Sequence, residues 1–303
     1  MAGESGSADT APPAPMVDAE GVREIADDVW VIPDRRVPLV PNIGIIAGRD
    51  AVLVVDTGMG PANGAAVLAV ARRIAGPDRR LILTLTHFHP EHGFGAQVFR
   101  REAIILYNRA QRDDLAAKGA GYLEMFRGFG PAVSTALAGT ELVLPHIAYE
   151  GARCEVDLGG RRVELRTWGR AHTNGDQVVW LPEERVLFTG DLAEERIFPI
   201  FPFFPPHDAD IDGARWAEVL AACVAMAPHI VVPGHGDVGN AGILTAVRGY
   251  MMDLAAQVAA ERANGLPADA IVAALAPRVR ARYPDWQAPE WIDFAIRYYA
   301  ANA

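Results

Sequence analysis

Thr86-His87-Phe88-His89-Pro90-Glu91-His92 is the stretch on which the reading of this chain turns. It holds three imidazoles and a carboxylate, in a chain of 303 residues with only eight His. The apolar run before it, 81–85, reads as a buried strand. His87 and His89 are two positions apart. In extended backbone their side chains leave on the same side and can reach one metal ion. Imidazole together with carboxylate suits Zn²⁺, and also Fe or Mn.

Working outward, three more candidate ligands stand in similar places. His172 lies in Arg170-Ala171-His172-Thr173-Asn174-Gly175, after a strand expected over 161–168. Asp191 lies in Phe188-Thr189-Gly190-Asp191-Leu192, after a strand over 186–188. His235 lies in Val231-Val232-Pro233-Gly234-His235-Gly236, after a strand over 230–232. Ligands that leave strand ends can be gathered by one face of a sheet. Five of the eight His are accounted for in this way.

The pattern resembles the metallo-β-lactamase superfamily over residues 25–239. The resemblance rests on T-H-F-H-P-E-H, His172, T-G-D ending at Asp191, P-G-H-G around His235, and V-V-D-T-G at 54–58. It implies an α/β fold, an αββα sandwich, with a dinuclear site at one edge of its sheets. Carried over by position, His87, His89 and His172 would hold one metal. Glu91, His92 and His235 would hold the other, and Asp191 would bridge them. Asp56 would orient a ligand. The cofactor expected is two Zn²⁺ per chain, with Fe or Mn as substitutes. Metal coordination lowers the pKa of water to about 7, so the expected nucleophile is a metal-bound hydroxide.

One position departs from the family: Glu91 stands where Asp is usual. Its carboxylate reaches about 1.5 Å further. It would ligate a shifted metal, act as a base, or leave the second site weak, and ligation is the favoured reading. Branches of the family differ at the Asp191 position. A bridging Asp is typical of glyoxalase II, lactonases and related ester or thioester hydrolases. The β-lactamases most like this pattern carry Cys there or lack a bridge. The expected enzyme is therefore a metal-dependent hydrolase of an ester, thioester or lactone, with Glu91 and Asp191 as its catalytic carboxylates. A β-lactamase-type amide hydrolase is the alternative, followed by an iron-dependent oxygenase or a non-catalytic metal-binding protein of the same fold. No G-x-S-x-G motif supports an acyl-enzyme route.

Strands are expected at 30–32, 43–47, 51–55, 103–107, 141–144 and 177–181, with helices over 60–74 and 211–226. Residues 109–137 read as helix broken at Gly119, Gly121, Gly128 and Gly130-Pro131. About three helical pieces follow residue 241. The division expected is a flexible N-terminal tail (1–20), a metallo-β-lactamase-fold domain (21–240) and a C-terminal helical extension (241–303). The substrate pocket is expected to be lined by Phe198, Phe201, Phe203 and Phe204, and by Tyr122 and Phe126 of the helical insert. His207 is a further candidate near the site. The aromatic C-terminal segment would pack on the core, close the pocket or form a homodimer face.

Composition bounds the partners. The net charge is −10 (28 basic and 38 acidic residues), which argues against nucleic acid and anionic membrane. A small-molecule substrate is expected. No long apolar run predicts a membrane span, and no secretory pattern opens the chain, so a cytoplasmic location is expected; Met16 is a second candidate start. Cys154 and Cys223 suggest two buried structural thiols rather than a disulfide framework.

Overall fold

The computed structural model describes residues 13–206 and 208–302. The strands 43–47 and 51–55 are apolar on both faces, so each must be covered on both sides. Two sheets meet this need. The first contains β1 (Arg23–Ala26), β2 (Val29–Ile32), β3 (Ile43–Ala47), β4 (Ala51–Val55), β5 (Arg80–Thr84), β6 (Ala103–Asn108) and β7 (Ile147–Tyr149), in sequential order. Its first four strands form an antiparallel meander, and β4 to β7 are parallel. The second has the order β12-β11-β10-β9-β8, from β8 (Arg153–Asp157), β9 (Arg162–Arg166), β10 (Val178–Leu181), β11 (Val186–Gly190) and β12 (Ile230–Pro233). Only β11 and β12 pair in parallel there.

Strand alternation divides the apolar side chains into three layers. Ile43, Ile45, Val52 and Val54 face α1 (Gly60–Ala75), α3 (Arg109–Arg127) and α4 (Pro131–Ala136). Ile46, Leu53 and Val55 face the other sheet, meeting Val179, Leu181, Val186 and Phe188. Val178, Trp180, Leu187 and Val231 point outward again, onto α5 (Gly213–Ala225), α6 (Gly242–Ala263), α7 (Ala268–Arg282) and α8 (Trp291–Asn302). A side-chain period of two produces this αββα stacking. The C-terminal helices thus complete the outer layer of the second sheet. None of the described helices is long and apolar enough to cross a membrane.

Several local expectations are corrected. Residues 141–145 form no strand; the sheet is extended instead by β7, a little later. β1 and β8 lie outside the expected strands: both are largely exposed edge strands whose polar residues give little apolar signal. α3 runs unbroken through Gly119 and Gly121. A Cβ on Gly119 would stand 2.9 Å from Leu142 Cδ1, so this glycine admits a close neighbour rather than ending the helix. Residues 15–17 are not loose: Val17 N–H donates to Asn63 Oδ1 (2.8 Å), and Asn63 Nδ2 donates to the Pro15 carbonyl (2.7 Å). The first twelve residues and His207 lie outside the described residues. Cys223 is buried, whereas Cys154 is only half-buried, and both are unpaired thiols.

Candidate metal centre

The ends of β5, β9, β11 and β12 and the turn after β4 converge at one edge of the sandwich. After β5 the chain bends at Thr86 and His87, then turns at α2 (Pro90–Gly93), a single helical turn with Pro at its start. The turn separates the motif into two directions. His87 and His89 face His172, which sits in the loop after β9. Glu91 and His92 face Asp191 and His235. In each group, one ligand atom from every residue lies within 4.8 Å of the others, and all seven residues are buried.

In the first group His89 Nδ1 lies 3.0 Å from His87 Nε2 and 3.2 Å from His172 Nε2. Burial, with the neighbouring imidazoles, holds His87 and His89 well below the usual imidazole range. Burial also lowers His172 to about 4. All three are therefore neutral at pH 7, the state in which imidazole ligates.

In the second group Asp191 Oδ1 lies 3.1 Å from His92 Nε2 and 3.6 Å from His235 Nε2. Its other oxygen, Oδ2, lies 3.9 Å from His87 Nε2. The carboxylate thus faces both groups. Burial opposes its ionisation, but His92 and His235 outweigh that and hold it well below the carboxylate range. Burial raises the Glu91 carboxyl. A Cβ on Gly234 would fall 2.0 Å from Asp191 Oδ1, so only glycine lets β12 end this close to it.

The donor set fits metal ions. Glu91 Oε2, His92 Nε2, both oxygens of Asp191 and His235 Nε2 are buried with no hydrogen-bond partner. A single such atom costs about 1–3 kcal/mol, so several aimed at one another call for a cation. The outer nitrogens point the same way. Nδ1 of His172 donates to the Ile200 carbonyl (3.0 Å), and Nδ1 of His235 to the Val40 carbonyl (2.9 Å). His92 Nδ1 lies 2.9 Å from Asp56 Oδ2. On His172 and His235 the contact leaves Nε2 turned inward as a lone pair; for His92, burial lowers the imidazole but Asp191 and Asp56 outweigh that and raise it well above the usual range. Asp56 also accepts from Thr86 N–H (2.7 Å) and Thr86 Oγ1 (2.9 Å). Its own backbone has φ of 68°, a conformation Asp tolerates, which swings the chain from β4 toward the site.

Four supports carry no readable sequence signal. Asn42 Nδ2 donates to the carbonyls of Pro233 and Gly236, and Asp34 accepts from Gly236 N–H, which fixes the His235 turn. Asp176 accepts from Thr173 N–H and Oγ1, which closes the His172 loop; burial pushes its carboxyl up to about 7. Glu194, three residues after Asp191, is buried, and burial beside Asp191 holds it well above the carboxylate range.

The expected pocket is corrected in part. Tyr122 stacks on His89 (centroids 4.9 Å, 28°) and donates its hydroxyl to Asp208 Oδ2 (2.7 Å); Phe126 packs behind it. Phe198 and Phe201 are fully buried, so they form no open wall. Phe198 packs on Tyr250, Tyr283 and Trp286, and Phe201 on Trp216, Tyr298 and Tyr299. Phe203 and Phe204 are half-buried against Tyr298, Trp291 and Phe294. The aromatic C-terminal helices offer these rings more apolar surface than the polar centre does.

Comparison with known proteins agrees with this architecture. The profile of the Metallo-beta-lactamase superfamily matches residues 36–235. A metallo-beta-lactamase type 2 from Bacteroides fragilis is 31% identical over 91 residues, 29% of this chain and 35% of that protein. Its counterpart from Bacillus cereus is 25% identical over 162 residues, 53% of each chain. The chain thus spans only a third to a half of these curated relatives. Among solved structures, the stereoselective inverting sec-alkylsulfatase Pisa1 from Pseudomonas sp. superposes with a TM-score of 0.71 at 16% identity, over 93% of this chain and 50% of that one. A metallo-beta-lactamase from Pontibacter korlensis superposes with a TM-score of 0.59 at 17% identity, over 76% and 98%. With the family profile covering most of the sandwich and the candidate ligands gathered at its edge, the chain belongs to the metallo-β-lactamase superfamily.

Proposed function

We propose that this protein is a dinuclear zinc hydrolase that cleaves an ester, thioester or lactone bond in a partly apolar small-molecule substrate. The observation that carries this reading is the Asp191 carboxylate, whose two oxygens face different ligand groups. His87, His89 and His172 would hold one ion, and Glu91, His92 and His235 the other, with Asp191 shared. Bound zinc supplies Lewis acidity toward the substrate carbonyl and a water acidic enough to attack near neutral pH.

The side chains do the rest. Asp191, whose oxygens face both ligand groups, would orient the attacking water beside the scissile bond and relay its proton to the leaving group. Glu91, buried beside it, would balance charge on the second ion. Asp56 and the carbonyls of Val40 and Ile200 keep three imidazoles aimed inward. Tyr122 stacks on His89 with Phe126 behind it, an apolar surface consistent with a substrate that is partly acyl or aromatic.

Zinc-loaded protein should hydrolyse at least one member of a panel of chromogenic esters, thioesters and lactones, and His89→Ala should abolish that turnover. An iron-only preparation that consumes oxygen and hydrolyses nothing would overturn the reading. A second reading, β-lactam hydrolysis, is favoured by the two curated relatives, both metallo-beta-lactamases; a cephalosporin in the same panel tests it. The sec-alkylsulfatase likeness over most of the chain adds a secondary alkyl sulfate to the esters worth trying.

A further inference from the structure

The segment between Asp191 and α5 joins the metal centre to the C-terminal helices. Phe198 lies among Tyr250, Tyr283 and Trp286, with centroids at 5.5, 6.1 and 5.3 Å. Phe201 lies against Trp216, Tyr298 and Tyr299, at 5.2, 5.6 and 5.6 Å. The backbone is pinned as well: Phe198 N–H donates to the Gln287 carbonyl (3.0 Å), and Gln287 N–H to the Arg196 carbonyl (2.9 Å). Between the two aromatic anchors stands Ile200. Its carbonyl accepts from His172 Nδ1 at 3.0 Å, and its N–H faces Glu194 Oε1 at 3.4 Å.

We propose that the C-terminal helices position His172: the Phe198 and Phe201 anchors, with Glu194, fix the Ile200 peptide, and that peptide holds His172 as the Nδ1–H tautomer with Nε2 aimed at His87 and His89. Glu194, Phe198 and Phe201 are then positioning residues that act through one carbonyl. The other ligand group takes its outer support elsewhere, from Val40 and Asp56, so a disturbed strap should loosen only the His87/His89/His172 group. The inference rests on that group holding a metal ion and is independent of the bond the enzyme cleaves.

The test is a cobalt(II) titration of the full-length, metal-free protein, read as visible absorbance and as cobalt bound per chain. His87→Ala and His235→Ala reference proteins assign the spectral components to the two groups. Glu194→Leu and Phe198→Ala should each weaken binding at the first group by about 10–100-fold, the usual effect of removing a ligand's outer support. Binding at the second group should change much less. Glu194→Gln keeps an oxygen that can accept from Ile200 N–H and should restore wild-type affinity. Should Phe198→Ala lose its far-ultraviolet dichroism, Phe198→Leu replaces it. Unchanged first-group affinity in both Glu194→Leu and the folded Phe198 variant would overturn the proposal. So would equal loss at both groups, or a wild-type protein that takes up no cobalt at the first group.

Discussion

In the half of the centre made by His87, His89 and His172, three neutral imidazoles meet nitrogen to nitrogen at 3.0–3.2 Å. In the half made by Glu91, His92, Asp191 and His235, two carboxylates and two imidazoles face one another, with unpartnered atoms on every residue. A dication in the first half would meet only the shared carboxylate of Asp191, whereas one in the second would meet that of Glu91 as well. The first half therefore presents the stronger electrophile, and the second depends more on a cation for its own stability. Asp191 ties them together, because its oxygens point both ways.

The largest disturbance to this contrast is Asp191→Asn. It removes the one charge common to both halves, so both lose metal affinity and turnover falls by at least about a hundredfold, beyond the usual 10–100-fold effect of outer contacts. Atomic absorption and steady-state kinetics on one preparation measure it; retained activity would mean the halves work independently. Next comes Glu91→Gln, which should lower metal content from two ions per chain to one and leave the first half filled. Full occupancy would show that Glu91 is no ligand. Asp56→Asn is expected to weaken only the second half, by about 10–100-fold, since Asp56 holds His92 from outside; competition against a chelator reads the constant. The smallest effect should come from Tyr122→Phe. It keeps the ring on His89 and deletes only the bond to Asp208, so it should cost about 0.5–1.5 kcal/mol of stability in a denaturant titration, without altering metal content.

Much of the centre is legible in the chain itself. The heptapeptide at 86–92 concentrates three imidazoles and a carboxylate in one short stretch, and His172, Asp191 and His235 each follow an expected strand with glycine nearby. Imidazole and carboxylate at that density, beside buried strands, suit a metal ion and little else. The supports are not legible, because they are contacts across long sequence separations. The Val40 carbonyl meets His235 across 195 positions, and any residue type supplies a carbonyl. The Phe/Pro segment misleads for a related reason: its composition announces an apolar contact without naming the partner. The aromatic side chains of the C-terminal helices take that role, and the expected substrate wall is a strap. Glycine in α3 misleads in the opposite way, since Gly119 accommodates Leu142 rather than interrupting the helix.

The amino-acid order alone was enough to specify most of the buried strands, the metal-ligand types and the family to which they point, because apolar runs and ligand spacing are local properties. Tertiary structure decided which nitrogen of each imidazole turns inward, which oxygen of Asp191 faces which group, and that the C-terminal helices reach the centre through Ile200. Those outcomes depend on hydrogen bonds and packing between segments far apart in the chain, where position in space, not residue type, sets the chemistry.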